Sequence, residues 1–201
     1  VFDDSGAVNG VSNITGGYLP LVCTLNATKV TDTVARLLGV GLDELAALAL
    51  AAPDRDGRPV LSAFFDGERS PNRPGGVGIL GGLSNETTRE ELAAAAFEGV
   101  LFGLVRGHER IRAAGAGADG EVLVMGGGAR SKAYRQLLAD VLGTEVVIRD
   151  VAESTARGAS IQASAVLAGA TVASVRDAWT PAVIERDAPR GSGWAASARE
   201  R

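Results

Sequence analysis

The sequence is poor in the residues that most often carry metal or redox chemistry, with one cysteine, Cys23, and one histidine, His108, among 201 residues. A lone cysteine forms no internal disulfide, which sets aside a small stapled secreted fold and fits a reducing compartment. Flanked by apolar neighbours, Cys23 reads as core packing. His108 falls one turn after Leu104 with no histidine or cysteine cluster beside it, so it reads as structural and no metal site built from protein side chains is expected. Positive charge is also in deficit: a net charge of −4 offers no broad positive field to hold a phosphate backbone, and nucleic acid is not an expected partner. Long apolar runs are missing too, and the opening VFDDSG carries neither a basic nor an apolar leader. The expectation is therefore no membrane span, no secretory signal and a cytoplasmic setting. The chain opens on Val1, and VFDD reads as a strand end entering the turn Asp4-Ser5-Gly6, as in a piece of a longer protein.

What is present suits one α/β domain with a sizeable core. Two short β-favouring segments, about Ala7 to Val11 and Tyr18 to Thr24, are separated by Asn13, Gly16 and Gly17 and read as adjacent antiparallel strands. Val30, Val34, Leu37 and Leu38 then trace one face of a helix over Thr28 to Leu38, stopped by Gly39. A second short helix follows Asp43. Residues 52–85 hold the apolar run Val60 to Phe65 and then a segment dense in Gly, Pro and charge, which reads as a long ordered loop or a linker.

Thr88 with Glu91 three positions later forms a capping box, and Ala93, Phe97, Val100, Leu101, Leu104 and Ile111 mark the buried face of a long helix. From Glu121 the pattern becomes strand VLVM, glycine turn, helix Ser131 to Leu142, strand VVI and helix Glu153 to Leu167, a βαβα unit. In the first of these helices Tyr134, Leu137, Leu138, Val141 and Leu142 form the stripe, with Gly143 as C-cap. In the second, Gly158, Ala159, Ala163 and Ala165 leave the surface small, suiting a cleft wall or tight packing. Residues 170–201, with Pro181, Pro189, Gly191 and little period, read as a partly ordered C-terminal extension in which Trp179 buries its indole.

The most informative stretch is Gly126-Gly127-Gly128-Ala129-Arg130-Ser131, between a hydrophobic strand and an amphipathic helix. Glycines there let a ligand approach the main chain with no Cβ in the way, and the helix start offers free N–H groups. A plain strand-to-helix turn has the same look. The stretch is not a P-loop, which requires GK[ST], nor a dinucleotide fingerprint, which requires a glycine where Ser131 stands.

The run MGGGARSKAYRQLLADVLGTEV, followed by ESTARGASIQASAVLAG, resembles the adenosine-binding strand, turn and helix of FGGY carbohydrate kinases. The earlier DGERSPNRPGGVGILGGLSNETTREELAAAAFEGVLFGL resembles the hallmark segment of that family, a GER[ST]P loop followed by an EG-containing helix. YLPLVCTLNATKVTDTVARLLGV is similar to the segment that opens the nucleotide-side domain in the xylulokinase type. The resemblance implies an α/β, ribonuclease H-like (actin-like ATPase) domain with a mixed sheet flanked by helices. It spans residues 1–169, with 170–201 as the extension.

It further implies the second of two domains that close over ATP and a sugar, with the adenosine on this half and the first domain outside this chain. Mg²⁺ would be held mainly through the nucleotide phosphates, and a ketose, D-xylulose in the first instance, would receive the γ-phosphoryl group. A homodimer is compatible with this reading. Gly126, Gly127, Gly128 and Ala129 match the turn against the nucleoside, and Ser131 matches a polar position near the adenine. Asn26 matches a second nucleotide contact where relatives often carry glycine; read by itself it is an N-cap for its helix. Glu68 and Arg69 line the interdomain cleft or order their own loop, and Arg130 reaches a phosphate or is simply solvated. Asp3, Asp4, Asp140 and Asp150 lie at turns or helix surfaces with nothing to mark a base. The family's catalytic aspartate and its phosphate-cradling turn are expected upstream, leaving this chain alone inactive. The alternatives are an FGGY kinase for ribulose, gluconate or glycerol, and a non-catalytic nucleotide-binding regulator.

Overall fold

Apolar residues at helical spacing set the architecture in the structure, a computed structural model that describes residue 3, residues 6–117, residues 120–191 and residue 195. The expectations placed on Val1, Phe2, Asp4, Ser5 and residues 192–194 and 196–201 lie outside the described residues. The chain runs β1 (Asn9–Ser12), β2 (Tyr18–Leu21), α1 (Thr28–Leu38), α2 (Leu42–Ala51), β3 (Val60–Ser62), β4 (Ile79–Gly81) and α3 (Arg89–Ala113). It continues with β5 (Val122–Leu123), a 3-10 turn (Gly127–Arg130), α4 (Lys132–Leu142), β6 (Val146–Arg149), α5 (Ser154–Ala168), α6 (Val172–Ala178) and β7 (Val183–Asp187).

Helix α3 is the pillar. Its start follows from the capping box, since the Thr88 hydroxyl accepts from Glu91 N at 3.3 Å and the Glu91 carboxylate accepts from Thr88 N at 3.1 Å, satisfying two amides that a helix start leaves open. Helices α1, α2 and α4 pack around it, and Val30, Leu45, Phe97, Leu101 and Leu137 meet in one buried cluster. Phe97 and Tyr134 lock α3 to α4 edge to face, with ring centroids 4.6 Å apart. Gly39 and Gly143 close α1 and α4 in the left-handed conformation, as their positions after the last apolar residue predict.

On the far side of α4 lies the sheet, in the order β5-β6-β7, parallel between β5 and β6 and antiparallel between β6 and β7. Val146 and Ile148 of β6 pack on Ala139 of α4. The β1–β2 and β3–β4 pairs are separate antiparallel ladders. No single helix among the described residues is long and apolar enough to cross a membrane.

Several expectations need correction. Leu37 and Leu104 stand 75% and 44% exposed, because Ala35 and Val105 are the residues their helices turn inward at those levels. The glycine-rich stretch is not a linker: it returns as β4 to pair with β3. Within the extension expected over residues 170–201, residues 170–191 carry regular structure: α6 packs on α5 and β7 joins the sheet. Trp179, 42% exposed, does not bury its indole. Asp140 is buried rather than on a helix surface, and it accepts from Arg190 N at 2.7 Å and from Arg190 Nε at 2.9 Å.

Candidate functional site

The glycine turn takes its shape from Gly126, whose φ of 88 and ψ of −171 lie in a region reserved for glycine. That kink ends β5 and lets the next four residues wind into a 3-10 turn, in which Ala129 N donates to Gly126 O and Ser131 N donates to Gly128 O, each at 3.1 Å. Two of the amides expected to be free for a ligand are thus engaged inside the turn. Helix α4 follows at once with Ser131 at its N-cap, although the serine side chain caps nothing.

Facing the turn across a cleft of about 540 Å³ is α2, which contributes Leu42, Asp43, Ala46, Ala47 and Leu50. Gly127, Gly128, Arg130, Ser131, Lys132 and Tyr134 form the near wall, while Thr28, Thr31 and Asp32 of α1 and Phe97 of α3 complete the lining. Small and apolar side chains opposite bare main chain make a slot that accepts a flat ring system, and the hydroxyl and carboxylate groups at its border offer polar contacts. A side chain added at Gly127 would meet nothing within 4 Å, so its Cα faces open space; one at Gly128 would touch Thr28 Cγ2 at 3.5 Å. Ser131 Oγ is buried and has no hydrogen-bond partner, an unmet acceptor and donor on the lining of this cleft.

Tyr134 and Thr31 knit α4 to α1 across the base of the site. The Thr31 hydroxyl donates to Thr28 O at 2.7 Å, so in the 3.2 Å contact between Thr31 Oγ1 and Tyr134 Oη the phenol supplies the proton. Burial pushes the Tyr134 pKa up to about 12.

The residues singled out in the sequence separate into three groups. Gly127, Gly128, Arg130 and Ser131 meet on the cleft. Gly126 and Ala129 shape the turn, Ala129 being buried beneath it. Asn26, Glu68 and Arg69 lie elsewhere. Asn26 borders a neighbouring depression of about 290 Å³ that shares Asp32 with the cleft. It does not cap α1, whose N-cap is Ala27, because its Nδ2 donates instead to Gly67 O at 2.7 Å and Glu68 Oε2 at 3.0 Å. Glu68 orders its own loop, accepting from Leu25 N and Arg69 N at 2.7 Å each. Arg69 is exposed.

Sequence reasoning missed the α2 wall, Thr31 and Tyr134. The run of alanines and leucines from Leu45 to Ala51 was the available signal, since small residues on a helix beside a glycine turn leave room for a ligand. Among the described residues no group of three or more His, Cys, Asp or Glu side chains is placed to hold a metal ion.

A strand, a glycine turn and a helix on a mixed sheet, with a cleft at the helix start, define an α/β domain with a candidate ligand site at that turn. The solved xylulose kinase from Bifidobacterium adolescentis superposes on 99% of this chain with a TM-score of 0.84 and 37% identity, and the match covers 39% of that chain. The fold is accordingly ribonuclease H-like, of the actin-like ATPase kind. Residues 2–167 match the C-terminal domain of the FGGY family of carbohydrate kinases, and the chain belongs to that family. The xylulose kinase of Streptomyces coelicolor is 36% identical over 191 residues, covering 92% of this chain, and that of Haemophilus influenzae is 39% identical over 148 residues, covering 73%. The chain spans 38% and 30% of the lengths of these two relatives.

Proposed function

We propose that this chain supplies the adenosine-binding side of an ATP-dependent sugar kinase, which in its whole form phosphorylates D-xylulose to D-xylulose 5-phosphate in the cytoplasm. The observation that carries the reading is the bare Gly127–Gly128 main chain opposite Ala46, Ala47 and Leu50 across the cleft, in a chain of the FGGY family. The purine would lie between these surfaces, and Ser131 Oγ, buried without a partner, would bond its polar edge. The border carboxylates Asp32 and Asp43 leave the phosphates to point away from α2, because like charges repel. Arg130, exposed at the rim, is placed to meet an anion.

Phosphoryl transfer depends on in-line positioning and charge neutralisation more than on covalent chemistry. Mg²⁺ supplies that neutralisation when bound through the phosphates. The residues of this chain hold and orient the nucleoside, and they exclude water from one side of it. The aspartate that removes the sugar hydroxyl proton is assigned to the part of the kinase that this chain does not span, so the chain alone turns over no sugar.

Isothermal titration of ADP into the wild-type chain and into Gly127→Val tests the reading. A Cβ at Gly127 meets nothing within 4 Å and the backbone there is not left-handed, so valine should lower affinity by about tenfold or more while the unfolding midpoint stays put. Equal affinity in the two proteins removes the cleft from the reading. With the whole kinase, ADP release on D-xylulose compared with ribulose, gluconate and glycerol identifies the acceptor, and ADP binding with no phosphorylation of any of them favours a regulator.

A further inference from the structure

The glycine turn is held from outside by a buried arginine. Arg135 of α4, 6% exposed, donates from one guanidinium nitrogen to Ala129 O at 2.8 Å and to Arg130 O at 3.2 Å. Its Nε donates to Asp187 Oδ2 at 2.8 Å, and its remaining nitrogen pairs with Glu185 at 2.5 Å. Asp187 ends β7, is 2% exposed, and holds Lys132 with its other oxygen. Burial pushes the Asp187 carboxyl up, but Lys132 and Arg135 together outweigh it, so the group rests below its ordinary 3.8 and remains an anion.

A four-residue 3-10 turn containing two glycines has poor internal hydrogen bonds and few torsional constraints of its own. The planar guanidinium, anchored to a fixed carboxylate on one side, presents a rigid fork to the turn carbonyls on the other. We infer that Arg135 and Asp187 form a positioning pair for nucleotide binding: β7 fixes the arginine, and the arginine fixes the carbonyls of Ala129 and Arg130, which sets where Gly127 and Gly128 present their main chain to the cleft. This rests on the nucleotide reading of that cleft. It gives the last strand, which lies beyond residue 167, a part in ligand affinity although it touches no ligand.

Two readouts on the 201-residue chain test the pair. Hydrogen–deuterium exchange of residues 126–131 without nucleotide reports whether the turn is held, and calorimetric ADP affinity reports whether holding it matters. Arg135→Lys keeps a cation for Asp187, but a single ammonium cannot span the carboxylate and both carbonyls. It should fold with an unchanged near-ultraviolet circular dichroism spectrum, exchange about tenfold faster in the turn, and bind ADP about tenfold more weakly. Asp187→Asn should move both readouts the same way. Wild-type values for Arg135→Lys, or faster exchange spread evenly through α4 and β6, would overturn the proposal. A wild-type chain that binds no ADP removes the nucleotide reading and the positioning of a nucleotide with it, and the exchange data then still show whether the pair holds the turn.

Discussion

Asn26 Nδ2 donates to Glu68 Oε2 at 3.0 Å across a separation of 42 positions, and this contact fastens the start of α1 to the GERSP loop. The same carboxylate takes backbone amides from both sides, Leu25 N and Arg69 N. Burial raises the Glu68 pKa, yet the bonds from Asn26, Leu25, Arg69 and Ser70 together outweigh it and leave it below the ordinary 4.5. Hydrogen bonds of this kind favour the anion and so favour the folded state wherever the anion exists.

Glu68→Gln should therefore cost about 1–3 kcal/mol at neutral pH, the worth of charge-assisted bonds to a partly buried acceptor. Because the folded pKa lies below the unfolded one, the contribution is complete above 4.5 and disappears as pH falls through the lower folded value. Urea unfolding across pH should show the wild-type and variant curves converging in acid; a constant gap would remove the anion from the explanation.

Gly126 and Gly127 are neighbours with opposite requirements. Gly126 has a φ of +88, whereas a Cβ on Gly127 enters open space and its φ is ordinary. Gly126→Ala should destabilise the chain by about 1–3 kcal/mol through backbone strain, and Gly127→Ala should stay within about 0.5 kcal/mol of wild type. Thermal or urea unfolding of the two variants side by side checks the contrast, and equal effects would mean the turn is not held in this conformation.

Helices α1, α3 and α4 were legible because apolar spacing coincides with one clear end signal in each: Gly39 closes α1, the Thr88–Glu91 capping box opens α3 and Gly143 closes α4. Strand β7 was not, since the side it turns inward carries the half-exposed Glu185 and the buried Asp187, which pair with Arg135 and Lys132 rather than with apolar groups; a hydrophobic period has nothing to register there. β4 was hidden for a different reason: its three residues sit among glycines and a proline that read as turn chemistry alone. The glycine turn of the site was visible as a motif, but its opposite wall on α2 became apparent only once α3 had brought the two helices together. The separation of Asn26 and Glu68 from the cleft likewise depends on a contact between distant segments that no local pattern encodes.

Tyr134 offers a spectroscopic handle on the base of the cleft. Its phenol is pushed up to about 12 from 10.0 by burial. Ultraviolet titration of tyrosinate should show one component near 12, absent in Tyr134→Phe. A pKa raised by folding means that the stabilising difference is whole below 10.0 and is lost as pH rises towards 12. Phe at this position should flatten that alkaline decline.

Gly99 sits in the middle of α3, where intrinsic propensity argues for alanine by about 1 kcal/mol. Propensity loses here because of what lies opposite. A Cβ at this position would fall 2.4 Å from Leu61 O and 3.3 Å from Ala63 Cβ, and the first of these is main chain of β3 that cannot swing aside. The close approach is what allows α3 to pack on β3. Gly99→Ala should accordingly destabilise the chain by about 1–3 kcal/mol, the usual cost of overpacking, despite its better helix former. Gly103, on the same helix with nothing within 4 Å of an added Cβ, is the internal control: Gly103→Ala should raise stability by about 0.5–1 kcal/mol. Denaturant unfolding of both variants decides the matter, and a stabilised Gly99→Ala would mean that α3 and β3 do not approach as closely as the structure places them.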